Sequence, residues 1–190
     1  NAADARMVNM YPEMTPSPEG KEPAYLNRAP GLRKLSSVGT GPIRGLWSYG
    51  DYGYAVSGSR LYRINSDWSS VAIGAVSGTG PVSMVDNGTQ LFIAANGPSY
   101  IYNANTNAFG QITDPDFPGA VTVCYLDGYF VFNEPNSQKM WVTALLDGTS
   151  IDPLEFASTE GSPDGLLAVV SNFREVWAFG TNSIEVWYDS

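Results

Sequence analysis

The chain contains no histidine and a single cysteine, and both shortages narrow its chemistry. Without histidine the commonest general base and metal ligand is missing, which excludes Ser-His, Cys-His and histidine-containing zinc chemistry within these residues. A lone cysteine excludes an internal disulfide and fits folding in a reducing cytosol. Cys124 stands in the apolar run Val121-Thr122-Val123-Cys124-Tyr125-Leu126, where a thiol reads as an inert core residue rather than a nucleophile. Long apolar runs are absent too. No stretch approaches the roughly 18 residues that cross a bilayer, so no membrane association is expected. The opening Asn1-Ala2-Ala3-Asp4-Ala5-Arg6 lacks both the charged and the apolar region of a signal peptide. It also lacks an initiator methionine, which leaves room for residues before Asn1.

Positive charge is scarce: 10 Lys and Arg face 19 Asp and Glu, for a net charge of −9. The imbalance is uneven. Residues 1–40 hold five basic residues (Arg6, Lys21, Arg28, Arg33, Lys34) against four acids, and residues 41–190 hold five against fifteen. An acidic body repels nucleic acid, whose backbone is gripped by clustered Lys and Arg, so no tight nucleic-acid binding is expected. The plain role of such a surface is solubility.

What the chain has in quantity is turn formers and β formers. With 43% hydrophobic and 13% aromatic residues, 20 Gly, 13 Pro and only 15% charged residues, it reads as globular, turn-rich and all-β. Residues 1–40 contain Tyr11-Pro12-Glu13, Thr15-Pro16-Ser17-Pro18-Glu19-Gly20, Glu22-Pro23 and Pro30-Gly31. Proline fixes φ and biases its predecessor toward extended backbone, so this segment is expected to be an extended arm with turns. Met7, Val8, Met10, Tyr11, Pro12, Tyr25, Leu26 and Arg28 are its candidate subunit-interface residues.

From residue 39 the chain repeats itself. Gly39-Thr40-Gly41-Pro42-Ile43 recurs 39 residues on as Gly78-Thr79-Gly80-Pro81-Val82, with counterparts at Pro118-Gly119-Ala120-Val121 and Pro163-Asp164-Gly165-Leu166. Each opens a unit. Turns at Gly50-Asp51, Asn87-Gly88, Asp127-Gly128 and Asn172-Phe173 then lead into the apolar strands Tyr54-Ala55-Val56, Leu91-Phe92-Ile93-Ala94, Tyr129-Phe130-Val131-Phe132 and Val176-Trp177-Ala178-Phe179. Third strands follow at Leu61-Tyr62-Arg63-Ile64, Tyr100-Ile101-Tyr102-Asn103, Met140-Trp141-Val142-Thr143 and Ile184-Glu185-Val186-Trp187, spaced by 39, 40 and 44. Fourth strands are read at Val71-Ala72-Ile73, Phe109-Gly110-Gln111-Ile112 and Leu154-Glu155-Phe156. Four short strands in about forty residues, repeated, mark β-propeller blades rather than a solenoid or sandwich. The expected blades are 43–76, 82–113, 120–157 and an incomplete 165–190, so further blades are expected outside this stretch.

Local motifs have plain readings. Asp114-Pro115-Asp116 has the D-x-D spacing of some calcium loops without the rest of such a loop, and reads as a turn. Asn87-Gly88-Thr89 matches a glycosylation acceptor, but Asn-Gly is also the strongest hairpin signal. The Gly-Thr-Gly-Pro turns lack the lysine and helix of a phosphate-binding loop. Trp47, Tyr49, Trp68, Trp141 and Trp187 can stack on sugars, though in blades such residues more often fill the packing between sheets. No carboxylate pair stands out as an acid and base, and no catalytic residue, cofactor or metal ligand is assigned.

Two stretches carry a family resemblance. Met7-Val8-Asn9-Met10-Tyr11-Pro12-Glu13 with Pro30-Gly31-Leu32, and Ser162-Pro163-Asp164-Gly165-Leu166 with Trp177-Ala178-Phe179-Gly180-Thr181-Asn182-Ser183-Ile184-Glu185, resemble the packaged-DNA stabilization proteins of short-tailed phages. The resemblance brackets the whole chain. It implies a propeller in a structural, non-catalytic virion protein of the phage tail, made in the host cytoplasm. Members are similar in forming a hexameric hub below the portal and its adaptor ring, closing the DNA exit channel and carrying tail fibres or tailspikes and a needle or plug. The residues alone leave two alternatives open: a propeller that binds carbohydrate or protein on a host surface, and a propeller-fold glycoside hydrolase.

Overall fold

The computed structural model describes residues 8–14, 24–159, 161 and 164–188. The chain divides into two compact units, residues 1–35 and 36–190. In the first, β1 (Met10–Met14) and β2 (Ala24–Arg28) pair antiparallel, with Met10 opposite Arg28, Pro12 opposite Leu26 and Glu13 opposite Tyr25. The Ala29 amide closes the ribbon by donating to the Asn9 carbonyl at 2.9 Å. The sequence predicts extended backbone here; the pairing of the two extended pieces is a finding of the structure.

The second unit is built of four antiparallel meanders. The first contains β3 (Ile43–Tyr49), β4 (Tyr52–Ser57), β5 (Arg60–Ile64) and β6 (Ser70–Ala75). The second contains β7 (Ser83–Asp86), β8 (Gln90–Ala94), β9 (Ser99–Asn103) and β10 (Ala108–Gln111). β11 (Val123–Leu126), β12 (Tyr129–Asn133), β13 (Lys139–Ala144) and β14 (Asp147–Ser158) make the third. The fourth has β15 (Leu166–Asn172), β16 (Glu175–Gly180) and β17 (Ile184–Tyr188). Each sheet keeps its strands in chain order, and β3, β7, β11 and β15 touch in succession, so the sheets are consecutive blades of a β-propeller. No helix occurs among the described residues, and so none that is long and apolar enough to cross a membrane.

The second strand of each blade explains why the blades stack. Side chains alternate across a strand, so a strand that is apolar at every position buries both faces. In β8, Leu91 and Ile93 pack with Tyr54, Val56 and Leu61 of the blade before, while Phe92 and Ala94 pack with Phe130, Phe132 and Trp141 of the blade after. In β12 the pattern continues: Phe130 and Phe132 face backward, and Val131 faces Leu166, Val169, Val176 and Ala178. Full burial of each such side chain contributes roughly 1.5–3 kcal/mol. Close approach at the outer strands depends on Gly74. A Cβ there would lie 2.1 Å from the ring of Phe109, which itself stacks on Tyr100 at a centroid distance of 5.5 Å.

The structure differs from the sequence reading at the fourth strand of the third blade, read as Leu154-Glu155-Phe156. β14 begins at Asp147, and its pairing with β13 slips: Trp141 opposes Phe156 and Thr143 opposes Ile151. Residues 152–155 are therefore an insertion opposite Val142, and all are exposed. The buried contacts come earlier, at Gly148 beside Phe130 and at Ile151.

Candidate interaction surface

The blades have two chemically distinct ends. One, the first-turn end, carries the turns joining first to second strands and third to fourth strands. The other carries the second-to-third turns and the connections between blades. Hydrogen bonds tie neighbours together at the first-turn end. Trp47 Nε1 donates to Asp86 at 2.7 Å and the Tyr49 hydroxyl to the Gly88 carbonyl at 2.7 Å. Gln90 Nε2 donates to Asp147 at 3.2 Å, and its Oε1 accepts from the Gly148 amide at 2.7 Å.

At the opposite end Arg44, from β3, is a buried cation held by carbonyls alone. Its Nε donates to Gly80 at 2.7 Å, Nη1 to Gly58 at 2.9 Å and Val76 at 3.3 Å, and Nη2 to Ser77 at 2.9 Å. These carbonyls belong to the β4–β5 turn and to the connection into the second blade, so the guanidinium staples the two. Asn133 plays a similar part between the third and fourth blades. Buried, it donates to the Leu166 carbonyl at 3.1 Å and accepts from the Thr122 amide and hydroxyl at 3.0 and 2.7 Å. Sequence reasoning missed Arg44; its only signal is a lone cation on an otherwise apolar first strand.

The sites weighed from sequence resolve as follows. Cys124 is buried, and that burial pushes its thiol up to about 12, against a smaller lowering by a hydrogen bond with Ser171. Asp114 accepts from the Asp116 amide at 2.9 Å and from the Ile151 amide at 3.2 Å, which makes the D-x-D stretch a turn. Asn87 accepts from the Thr89 and Gln90 amides at 3.0 and 2.7 Å and so closes a hairpin. Among the described residues no group of His, Cys, Asp or Glu is placed to hold a metal ion. Trp47 packs in the first seam and Trp141 in the second, whereas Trp68 and Trp187 remain exposed.

In the first unit, Met10, Pro12, Leu26 and Arg28 fall on one face of the ribbon and Tyr11 and Tyr25 on the other. Val8 lies just before β1, and Met7 lies outside the described residues. Glu13, which accepts from the Asn27 side-chain amide, raises the Tyr25 phenol by its charge. Met14, on the face of Met10, was not among the candidates.

The two halves of the C-terminal motif meet, with Leu166 opposite Gly180 and the Thr181 amide donating to the Gly165 carbonyl at 3.2 Å. Asp164 accepts from the Asn182 amide, from the Ser183 amide at 3.1 Å and hydroxyl at 2.9 Å, and from the Thr181 hydroxyl at 3.2 Å. The carboxylate thus shapes the β16–β17 turn. Amide donation from Asn182 leads the effects that hold it below the ordinary carboxylate range.

Comparison with known proteins bears on these features. Solved structures share the fold at low identity. The computationally designed Ika4 protein matches with a TM-score of 0.60 at 11% identity, over 84% of this chain and 100% of that one. BamB from Moraxella catarrhalis matches with 0.58 at 13%, over 76% of this chain and 42% of that one. The designed Ika8 protein matches with 0.60 at 10%, over 97% of this chain and 57% of that one. The chain thus spans about half the length of the last two. No curated protein matches it significantly. A family model described as bacteriophage P22 Gp10, beta-propeller, matches residues 3–190, so the chain belongs to this family of phage packaged-DNA stabilisation proteins.

Proposed function

We propose that this chain is part of a structural protein of the phage tail hub, seated below the portal and its adaptor ring. There it closes the exit channel over packaged DNA and anchors tail fibres or tailspikes and a needle or plug. The observation that carries the reading is the family match over residues 3–190 on a run of propeller blades. Chemistry supports it. The body holds five basic residues against fifteen acids, a balance that avoids adhesion to phosphates passing beside it. Its residues serve packing and turn geometry, as Asp164, Asn133 and Arg44 illustrate. The ribbon of β1 and β2, with Met10, Pro12, Leu26 and Arg28 on one face, supplies a surface for a neighbouring copy in a homo-hexamer.

The test is the mass of the full-length protein in solution, alone and mixed with purified portal–adaptor complexes. A hexamer, or subunits that join those complexes, is the expected result. A strict monomer that never joins them overturns the reading. Deleting residues 1–35 tests the arm separately, and unchanged assembly would remove its role.

A further inference from the structure

An Asn-Gly pair is prone to a spontaneous backbone reaction, because glycine puts no side chain in the way of its own amide nitrogen. The chain has two such pairs, Asn87-Gly88 in the β7–β8 turn and Asn96-Gly97 in the β8–β9 turn. The reaction makes two demands. The glycine nitrogen must shed its proton, and the carboxamide carbon of the asparagine must swing onto that nitrogen. The two turns meet these demands differently.

At Asn87 both are obstructed. The Gly88 amide donates to Asp86 at 3.0 Å, and the charge of that carboxylate opposes formation of an amide anion. The Asn87 carboxamide is pinned on both sides: its oxygen accepts from the Thr89 and Gln90 amides at 3.0 and 2.7 Å, and its nitrogen donates to the Leu146 carbonyl at 3.3 Å. Asn96, by contrast, is exposed, and its carboxamide makes no hydrogen bond to any described residue. Its left-handed backbone (φ 58) leads into Gly97, whose amide is held by one neutral group, the Ala120 carbonyl, at 2.8 Å. That bond and its return, from the Ala120 amide to the Gly97 carbonyl at 3.0 Å, form an isolated bridge outside the named strands. A single pair of this kind opens at lower free energy than a strand inside a sheet.

We propose that Asn96 is a site of spontaneous deamidation, and that the reaction there opens the bridge between the second and third blades. The Gly97 nitrogen loses its proton and bonds to Asn96 Cγ, the Cγ–Nδ2 bond breaks, and ammonia leaves with that proton. Water then opens the resulting five-membered imide at either carbonyl, giving aspartate or isoaspartate at position 96. Water is the one co-reactant, and nothing is oxidised or reduced. In the imide the nitrogen carries no hydrogen, so its bond to the Ala120 carbonyl is gone. In the isoaspartate the main chain is one carbon longer, which takes Gly97 out of register with Ala120. The bridge joins the β8–β9 turn to the entry of the third blade, so its loss loosens one end of this seam while Ser83 and Gln90 hold it elsewhere. The site is independent of the tail-hub reading.

The experiment incubates the full-length protein in mildly alkaline buffer, with and without urea, and follows peptides spanning both pairs by mass spectrometry with fragmentation that separates aspartate from isoaspartate. In the folded protein Asn96 should convert at least about tenfold faster than Asn87. In urea, where neither turn persists, the two rates should agree within about threefold. The isoaspartate form, resolved from the parent by ion exchange, should lose at least about tenfold of its hydrogen-exchange protection at the Gly97 amide. Asn96→Asp carries the charge of the product on an unaltered main chain and should keep that protection, since Asp also tolerates left-handed backbone. Equal rates at the two asparagines in the folded protein, or conversion of Asn96 slowed more than about 100-fold relative to urea, overturns the site. Full protection at Gly97 in the isoaspartate form overturns its coupling to the bridge, and so does loss of protection in Asn96→Asp, which assigns the effect to charge.

Discussion

Replacing Arg44 with methionine tests whether the buried guanidinium holds the first blade to the second. The change keeps the aliphatic stem and removes one charge and four hydrogen bonds, to Gly58, Val76, Ser77 and Gly80. A hydrogen bond to a charged group contributes roughly 1.5–3 kcal/mol, but a sum over four overstates the loss. Arg44 as a whole is 9% exposed, and desolvation of its charge opposes the gain by several kcal/mol. Water also reaches the carbonyls left at the partly buried rim. A net destabilisation of about 3 kcal/mol results. For a chain of this size each kcal/mol moves the melting temperature by about 2–4 °C, so Arg44→Met should melt about 6–12 °C lower. In urea the midpoint should fall with the slope unchanged, since the surface exposed on unfolding is the same. Arg44→Lys keeps the charge, but a compact ammonium cannot reach carbonyls on two loops, so about half the loss should remain. The partners are carbonyls rather than carboxylates, so added salt should not close the gap. A shift below about 2 °C for Arg44→Met would refute the staple.

Three further outcomes follow from packing and charge. Gly74→Val drives side-chain atoms into the Phe109 ring and should cost about 1–3 kcal/mol; urea melts of Gly74→Val with and without Phe109→Ala should show the two changes to be coupled rather than additive. Cys124, buried and with its thiol pushed up to about 12, should stay unmodified by a thiol reagent at pH 8 until urea unfolds the protein; prompt labelling of the native form would contradict its burial. Asp164 has a lowered carboxyl pKa in the folded state, so the stability it contributes is full above the unfolded carboxylate value and is lost as pH falls through the folded one. The melting-temperature advantage of wild type over Asp164→Asn should therefore be present at neutral pH and vanish in strong acid; an advantage independent of pH would disprove the assignment.

The blades were legible in the sequence because one rule generates them. An apolar strand such as Leu91-Phe92-Ile93-Ala94 cannot expose either face, and the Gly, Asn and Asp turns around it fix where it starts and stops. The long β14 was hidden by its insertion: residues 152–155 break the alternation, so Gly148 and Ile151 did not read as parts of the same strand as Phe156. The β1–β2 ribbon was hidden because residues 15–23, with three prolines, give no short hairpin signal between its strands and Pro12 argues against pairing. Of the interaction surface, the turn at Asn172-Phe173 was visible, but not that Phe173 itself takes the left-handed position that Gly88 and Gly128 fill elsewhere. Which residue of a turn carries positive φ depends on strand register, and register emerges only when the partner strands are in place.

The alternation along β8 has a consequence for how this sequence varies. Phe92 and Ile93 are adjacent in the chain yet belong to separate packing clusters, one shared with the blade after and one with the blade before. A change at Phe92 is answered by Phe130 and Phe132, and one at Ile93 by Tyr54 and Leu61, so neighbouring codons drift under unrelated constraints. Compensating substitutions therefore link residues about forty positions apart more tightly than residues side by side.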